Sequence, residues 1–396
     1  MDSDKSPWFT DRVDTSPGSL LTLLRTGRAS SRADLVRLSG LSRGAVTTRL
    51  AALAAAGLVR EGDELASTGG RRAGTLELDP DAGSVLAVAV GRSRSQVGVF
   101  DLAGREITSD SRDHEPGIAP GELMTDVVDR LLHQLPPDPA APVLGVGVSL
   151  PGAVDGEKVA SLDAPVLAGW DGIDLRPWLA KVTDAPVLID NDTAVLTRSE
   201  LFGRAPAHPS MLVLKASTGL GLGMVVDGRI VGAGRGRTGE LGHTRVAAAG
   251  DLPCRCGATG CLETIAGGWA LVAELDAGST LAPARHVRGL VGQALDGDPS
   301  ARRLVREGGR RLGETLAVAV NLVQPGVLVV GGDLGAAFDL YTAGLRESLA
   351  THAHPLAVRD LRLLPATHGE AAGLHGCAAL AIDHALAPDT VDARLA

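Results

Sequence analysis

Leu20, Leu21, Leu23 and Leu24 recur at helical spacing among polar residues, which predicts a first helix over residues 18–29. Ser31 stands as an N-cap before the run Arg32–Leu38, with Asp34 three residues on in a box-like position, and Gly40 ends that helix. Ser42 caps a third helix running through Val46, Leu50 and Leu53 to Gly57. Helix, short glycine-containing turn, helix is the helix-turn-helix pattern. Beyond it, Thr68–Arg72 and then Thr75–Asp79 predict a hairpin with a basic tip, the wing of such a module.

From about residue 84 the pattern changes. Ser84–Gly91 and Gln96–Asp101 predict buried strands, a helix follows over residues 120–135, and Val143–Ser149 predicts another strand. Later, Met211–Lys215 and Gly223–Asp227 predict a hairpin around a glycine-rich turn. A long helix then ends near Leu322, before the strand Val327–Gly332. Short apolar strands alternating with helices give an α/β class, and two such halves with glycine turns at strand ends imply a cleft between them.

At 396 residues the chain is long enough for two or three domains. With one tyrosine and four phenylalanines, its cores must be built from Leu, Val and Ala. No apolar run reaches the roughly 18 residues of a membrane span, and the polar N-terminus lacks a signal-peptide core, so a cytoplasmic protein with no membrane partner is expected. Charge is uneven: residues 1–75 carry a net +3, against −12 on the remainder. A basic module on an acidic body assigns the polyanion-binding role to the first segment. There, Ser42, Arg43, Gly44, Thr47 and Thr48 begin the third helix, with residue types suited to the major groove, while Arg71 and Arg72 on the wing suit phosphates or the minor groove.

Three of the four cysteines, Cys254, Cys256 and Cys261, fall within eight residues, and His243 lies upstream. Three thiolates and an imidazole satisfy tetrahedral zinc. With all four positions filled by protein, the metal would be structural. The same segment gathers Glu240, His243 and Glu263 into one small region.

The segment Gly239–His243 followed by Cys254–Glu263 resembles the ROK family (repressors, open reading frames and sugar kinases). Leu150–Asp155, Gly169–Trp170, Asp190–Asp192, Thr218–Gly223 and Asn321–Gly332 support the resemblance in the same order. It implies a two-lobed actin-like ATPase/sugar-kinase (ribonuclease H-like) fold over residues 81–396, with a structural zinc loop at 243–263. Residues 1–80 resemble the winged helix-turn-helix DNA-binding domain of the repressor branch. The resemblance further implies that Asp192 occupies the position of a general base, and that Asn191, Asp192, Glu240, His243 and Glu263 contact sugar hydroxyls. Thr218, Gly219, Gly221, Gly331 and Gly332 would form nucleotide-like turns.

Phosphate handling departs from the family pattern. Ala89 stands where the kinases carry the aspartate that organises magnesium, and Arg92 and Arg94 beside it could bind an anion but not replace a metal ligand. Ala194 and Val166 replace asparagines near the sugar site. These residues favour a sugar-responsive repressor, a homodimer or higher homo-oligomer bound to operator DNA. The alternatives are an ATP- and magnesium-dependent sugar kinase with an added DNA-binding domain, and a repressor that senses a phosphosugar or another metabolite through Arg92 and Arg94.

Overall fold

Ser16 caps the first helix by accepting from the Ser19 amide, Pro17 supplies a ready-made first turn, and four leucines face inward, so helix α1 spans Pro17–Arg25. The computed structural model describes residues 15–64, 74–135, 141–163, 167, 169–202, 208–232, 239–278 and 283–396. Helix α1 stops before residue 29 because Gly27 turns left-handed at φ 68°. Helix α2 (Arg32–Ser39) begins at Ser31, whose Oγ accepts from the Asp34 amide at 3.2 Å and donates to its carboxylate at 2.8 Å. Helix α3 (Arg43–Ala55) is capped by Ser42 and buries Val46, Leu50 and Leu53. Strands β1 (Val59–Glu64) and β2 (Gly74–Leu78) then pair antiparallel. Arg71 and Arg72, expected at the tip of this hairpin, lie outside the described residues.

The rest of the chain repeats one design. In the first sheet β3 (Ser84–Val90), β4 (Arg94–Asp101) and β5 (Glu106–Asp113) form an antiparallel meander. Helix α4 (Pro120–Gln134) leads to β6 (Val143–Leu150), parallel to β3. A small hairpin, β7 (Ala153–Asp155) with β8 (Ala160–Asp163), and the short helix α5 (Arg176–Leu179) precede β9 (Val187–Asn191), parallel to β6. Helix α6 (Asp192–Leu201) then leads to the second sheet, where β10 (Met211–Ala216), β11 (Leu220–Val226) and β12 (Arg229–Ile230) form another meander. Helices α7 (Glu263–Ala266), α8 (Gly268–Gly278), α9 (Val287–Leu295) and α10 (Pro299–Val323) precede β13 (Val327–Gly331). Helices α11 (Phe338–His352) and α12 (Pro355–Arg359) precede β14 (Arg362–Pro365), and both β13 and β14 run parallel to their neighbours. The strand orders, 5-4-3-6-9 and 12-11-10-13-14, are the same order twice. Strands covered on both faces read as unbroken apolar runs, as β3 and β13 do.

One expectation about the second meander is corrected. Its turn is confined to Ser217–Gly219, and Gly221 and Gly223 lie inside β11. A Cβ on Gly221 would sit 2.0 Å from Thr193 Oγ1, and one on Gly223 1.8 Å from Thr197 Oγ1. These glycines let α6 pack against the strand.

Helices α13 (Ala372–Ala385) and α14 (Pro388–Leu395) complete the chain. Helix α14 lies on α1, where the Gly18 amide donates to Asp392 Oδ1 at 2.8 Å. A single apolar cluster includes Leu20, Leu35 and Leu53 of the first three helices, Val85 and Phe100 of the first sheet, and Ile382, Leu386 and Val391 of the last two helices. The N-terminal module is thus packed into the body rather than tethered to it. Among the described residues no helix is long and apolar enough to cross a membrane.

Candidate functional site

The ligand atoms of His243, Cys254, Cys256 and Cys261 all lie within 4.8 Å of one another. A compact hairpin makes this possible: the Cys254 amide donates to Ala258 O at 2.8 Å, and Gly257 and Gly260 adopt φ 85° and 77°. The spacing itself tests the metal. Zinc–sulfur bonds of about 2.3 Å in a tetrahedron place two sulfurs about 3.8 Å apart, and a nitrogen and a sulfur about 3.6 Å apart. Cys256 and Cys261 Sγ are 3.8 Å apart, and His243 Nδ1 lies 3.5 Å from Cys254 Sγ. Burial pushes the Cys254 thiol up to about 12 and also raises Cys261, so a bound cation would supply the charge that ionises them. His243 Nε2, on the other side of the ring, faces Glu240 Oε2 at 3.8 Å.

The cluster flanks a cleft between the two sheets. This cleft holds a cavity of about 250 Å³ that opens to solvent. Asn191, Asp192, Glu240, His243 and Glu263 all line it, as do Thr218, Gly219, Gly221 and Gly332. Gly331 does not; it is buried in β13, where a Cβ would meet Leu196 at 3.0 Å. Ala194 is also buried, in α6, and is absent from the cleft lining. Its replacement of an asparagine therefore bears on helix packing rather than on the cleft wall. Val166 lies outside the described residues.

Asn191 and Asp192 sit where β9 passes into α6. The Asn191 side-chain oxygen caps that helix, accepting from the Ala194 amide at 2.7 Å. Asp192 is engaged in a way the motif did not reveal: its Oδ2 lies 2.8 Å from Lys215 Nζ. Burial opposes the lysine's charge, but Asp192 outweighs it and Lys215 is held above the usual lysine range. The sequence signal was a lone lysine ending an apolar strand, Met211–Ala216. Glu263 is buried; Oε2 accepts from the Leu220 amide at 3.1 Å and Oε1 from Trp269 Nε1 at 3.0 Å. It ties the metal loop to the start of β11 while keeping lone pairs toward the cleft.

Ala89, Gly91 and Arg92 line the cleft at the end of β3. Arg94 is committed elsewhere, to Asp113 at 2.8 Å and Glu370 at 2.6 Å, so it does not form the anion site expected with Arg92. Opposite stands Arg255, from the metal loop, its guanidinium 4.5 Å from the centre of the Trp269 ring. Burial and then the nearby Arg92 hold its pKa below the usual arginine value. Asp333, accepting from the Ser217 hydroxyl, also lines the cleft.

On the N-terminal module Arg43, Gly44, Thr47 and Thr48 are exposed on one face of α3, opposite buried Val46 and Leu50. Ser42 is exposed too, but its oxygen accepts from the Ala45 amide at 3.2 Å and closes the helix end. Arg43 has no ion-pair partner among the described residues, whereas Arg32 pairs with Glu61, Arg37 with Asp34 and Arg60 with Glu77. A continuous path joins this module to the cleft. Helix α6 starts at Asp192 and carries Arg198, whose guanidinium lies 2.7 Å from Asp383 Oδ2 on α13. The other oxygen of Asp383 lies 2.5 Å from Arg25 on α1.

The model described as ROK family matches residues 85–384. The chain is similar to the xylose repressor of Bacillus spizizenii, 25% identical over 360 residues, which span 90% of this chain and 92% of that protein. Its fold is similar to a ROK family transcriptional regulator described as a homologue of the E. coli MLC protein. The TM-score there is 0.76 at 25% identity, covering 97% of this chain and 99% of the other. A ROK family glucokinase from Streptomyces griseus, solved with glucose and AMPPNP, gives a TM-score of 0.60 at 26% identity. It covers 75% of this chain and 98% of its own, so a quarter of this chain has no counterpart in the kinase.

Proposed function

This chain belongs to the ROK family, and from that premise we propose that it is a sugar-responsive transcriptional regulator acting in the cytoplasm, a repressor that binds operator DNA and does not transfer phosphate efficiently. The observation that carries this reading is the apolar core shared by the winged helix and the cleft-bearing body. Residues 1–80 serve as the DNA-binding domain and residues 81–396 as the sensor. Arg43, Thr47 and Thr48 meet the major groove, with Ser42 and Gly44 at the helix start. Because one winged helix reads half an operator, the reading includes a homodimer; Val318 and Leu322 of α10, 59% and 80% exposed, offer apolar surface for it.

In the cleft Asn191, Asp192, Glu240, His243 and Glu263 hold sugar hydroxyls. Zinc on His243 Nδ1 and the three cysteines would brace the loop that presents Glu240 and Glu263, and that is the whole of its chemistry here. One feature argues against turnover: Ala89 offers no metal ligand at the end of β3, whereas Lys215 pairs with only one oxygen of Asp192. Ligand binding that favours one lobe arrangement moves α6, and Arg198, Asp383 and Arg25 pass the displacement to α1. Such a switch requires different ligand affinity in the two states.

The test has two arms on zinc-loaded protein. Genomic fragments selected by the protein are assayed for release or retention across hexoses, pentoses and N-acetylated sugars. ADP release from magnesium-ATP is followed with the same panel. The reading expects sequence-selective DNA binding altered by at least one sugar, and ADP release at background. Sugar-dependent turnover would make the protein a kinase with an added DNA-binding domain, and loss of any DNA selectivity would remove the regulator.

A further inference from the structure

Among the described residues the cleft holds five cationic side chains besides His243, and three of them are engaged. Lys215 pairs with Asp192, Arg94 with Asp113 and Glu370, and Arg288 with Asp113 at 3.0 Å while also donating to Ser93 O at 3.2 Å. Arg92 and Arg255 make neither a hydrogen bond nor an ion pair among the described residues. They come from opposite walls: Arg92 from the turn between β3 and β4, Arg255 from the metal loop beside α7. Arg255 Nη1 is buried with no partner among the described residues, and the ring of Trp269 covers a face of the guanidinium, leaving its in-plane N–H donors to bind something else. A buried donor on a charged group is costly to leave unsatisfied, and two like charges facing one cleft raise that cost. An anion relieves both, and the planar fork of arginine matches a phosphate or carboxylate with paired hydrogen bonds.

We infer that Arg92 and Arg255 form an anion subsite in the cleft, and that the ligand sensed there is a sugar carrying a phosphate or carboxylate group. The inference rests on the sensor reading above and names its ligand class. The cavity, about 250 Å³, lies just below the roughly 300–1,000 Å³ common for small-molecule sites and opens to solvent, which suits a ligand of sugar size. Asn191, Asp192 and Glu240, proposed to hold hydroxyls, line the same cleft, with the two arginines available for the charged group. Glu263, also in the cleft lining, accepts from Trp269 Nε1, so this carboxylate and the Arg255 side chain share one support.

The experiment is titration calorimetry of the zinc-loaded full chain against matched pairs. These are glucose with glucose 6-phosphate and with gluconate, N-acetylglucosamine with its 6-phosphate, and xylose with xylonate; inorganic phosphate and magnesium-ATP complete the set. At least one anionic member should bind tenfold or more tighter than its neutral parent. In Arg92→Gln and in Arg255→Gln that preference should fall below about threefold, and it should weaken with added salt in the parent protein. The phosphate and carboxylate arms identify the anion. Because Arg255 lies between two metal-loop cysteines, zinc content is measured for each variant, and Arg92→Gln decides alone if Arg255→Gln loses metal. Neutral sugars binding as tightly as their anionic partners would overturn the inference and leave the sensor reading standing. So would a preference that survives Arg92→Gln, or magnesium-ATP binding tighter than every sugar anion with the same arginine dependence. Failure of every sugar, neutral or charged, to bind would overturn the sensor reading together with the subsite.

Discussion

Replacing Asp383 with asparagine keeps the side chain's shape and removes the charge that joins the cleft-side helix to the DNA-binding helices. The carboxylate sits 2.5 Å from Arg25 and 2.7 Å from Arg198. The two arginines are 24% and 16% exposed and the aspartate 40%, so solvent screens both pairs. After that discount each contributes about 0.5–1 kcal/mol, and losing both costs about 1–2 kcal/mol. For a chain of 396 residues that lowers Tm by roughly 1–3 °C. The response should suffer more than the stability. If the pairs carry about 1 kcal/mol of the coupling between sites, the ratio of operator affinities with and without ligand shrinks about fivefold. Fluorescence anisotropy of labelled operator, with and without saturating ligand, reads that ratio directly, and calorimetry checks that the ligand still binds. Asp383→Glu should recover part of the response. An Asp383→Asn protein that loses stability as expected yet keeps the full ligand-induced change would refute the route through α6, α13 and α1, because the pairs would then be structural only.

Cys261→Ala should abolish stoichiometric zinc, lower Tm and cost ligand response, since the loop that presents Glu240 and Glu263 loses its brace; metal analysis alongside ligand titration checks this, and an apo protein responding normally would break the link. Arg43→Ala should weaken operator binding by about 1–3 kcal/mol and relax base preference at one operator position. A loss uniform across sequences would instead assign Arg43 to the phosphate backbone. Asp34 is held at about 2, below its ordinary 3.8, first by Arg37 and then by Ser31. The unfolded chain therefore binds more protons between about pH 4 and 2 than the folded one, so the stabilisation is complete above that window and is lost as pH falls through it. A carboxyl resonance of Asp34 titrating near 4 in the folded protein would contradict this.

Local chemistry was readable along the chain because its causes lie within a few residues of one another. Ser31 with Asp34, Gly40 and Ser42 marked the ends of α2 and α3 because capping is a contact between near neighbours. The cluster of His243 with Cys254, Cys256 and Cys261, which could hold a metal, was equally legible, as its three cysteines share one short loop. Apolar runs placed most of the strands, though not the extent of the glycine turn: Gly221 and Gly223 are needed by the helix packed on β11, a reason that no local pattern carries. Of the residues in the cleft, the motif pointed to Asn191, Asp192, Glu240, His243 and Glu263, but the partner of Asp192 comes from a strand more than twenty residues on. Arg94 read like Arg92 in sequence, and only the fold brings Asp113 and Glu370 to it and leaves Arg92 without a partner among the described residues. The sequence by itself thus determined the winged helix, the α/β body and the donor set for a metal. Tertiary structure decided which charges are neutralised, which stay available to a ligand, and how the cleft is joined to α1. The physical reason is range: capping, periodicity and metal spacing act between near neighbours, whereas an ion pair such as that of Arg25 with Asp383 exists only where packing brings distant segments together.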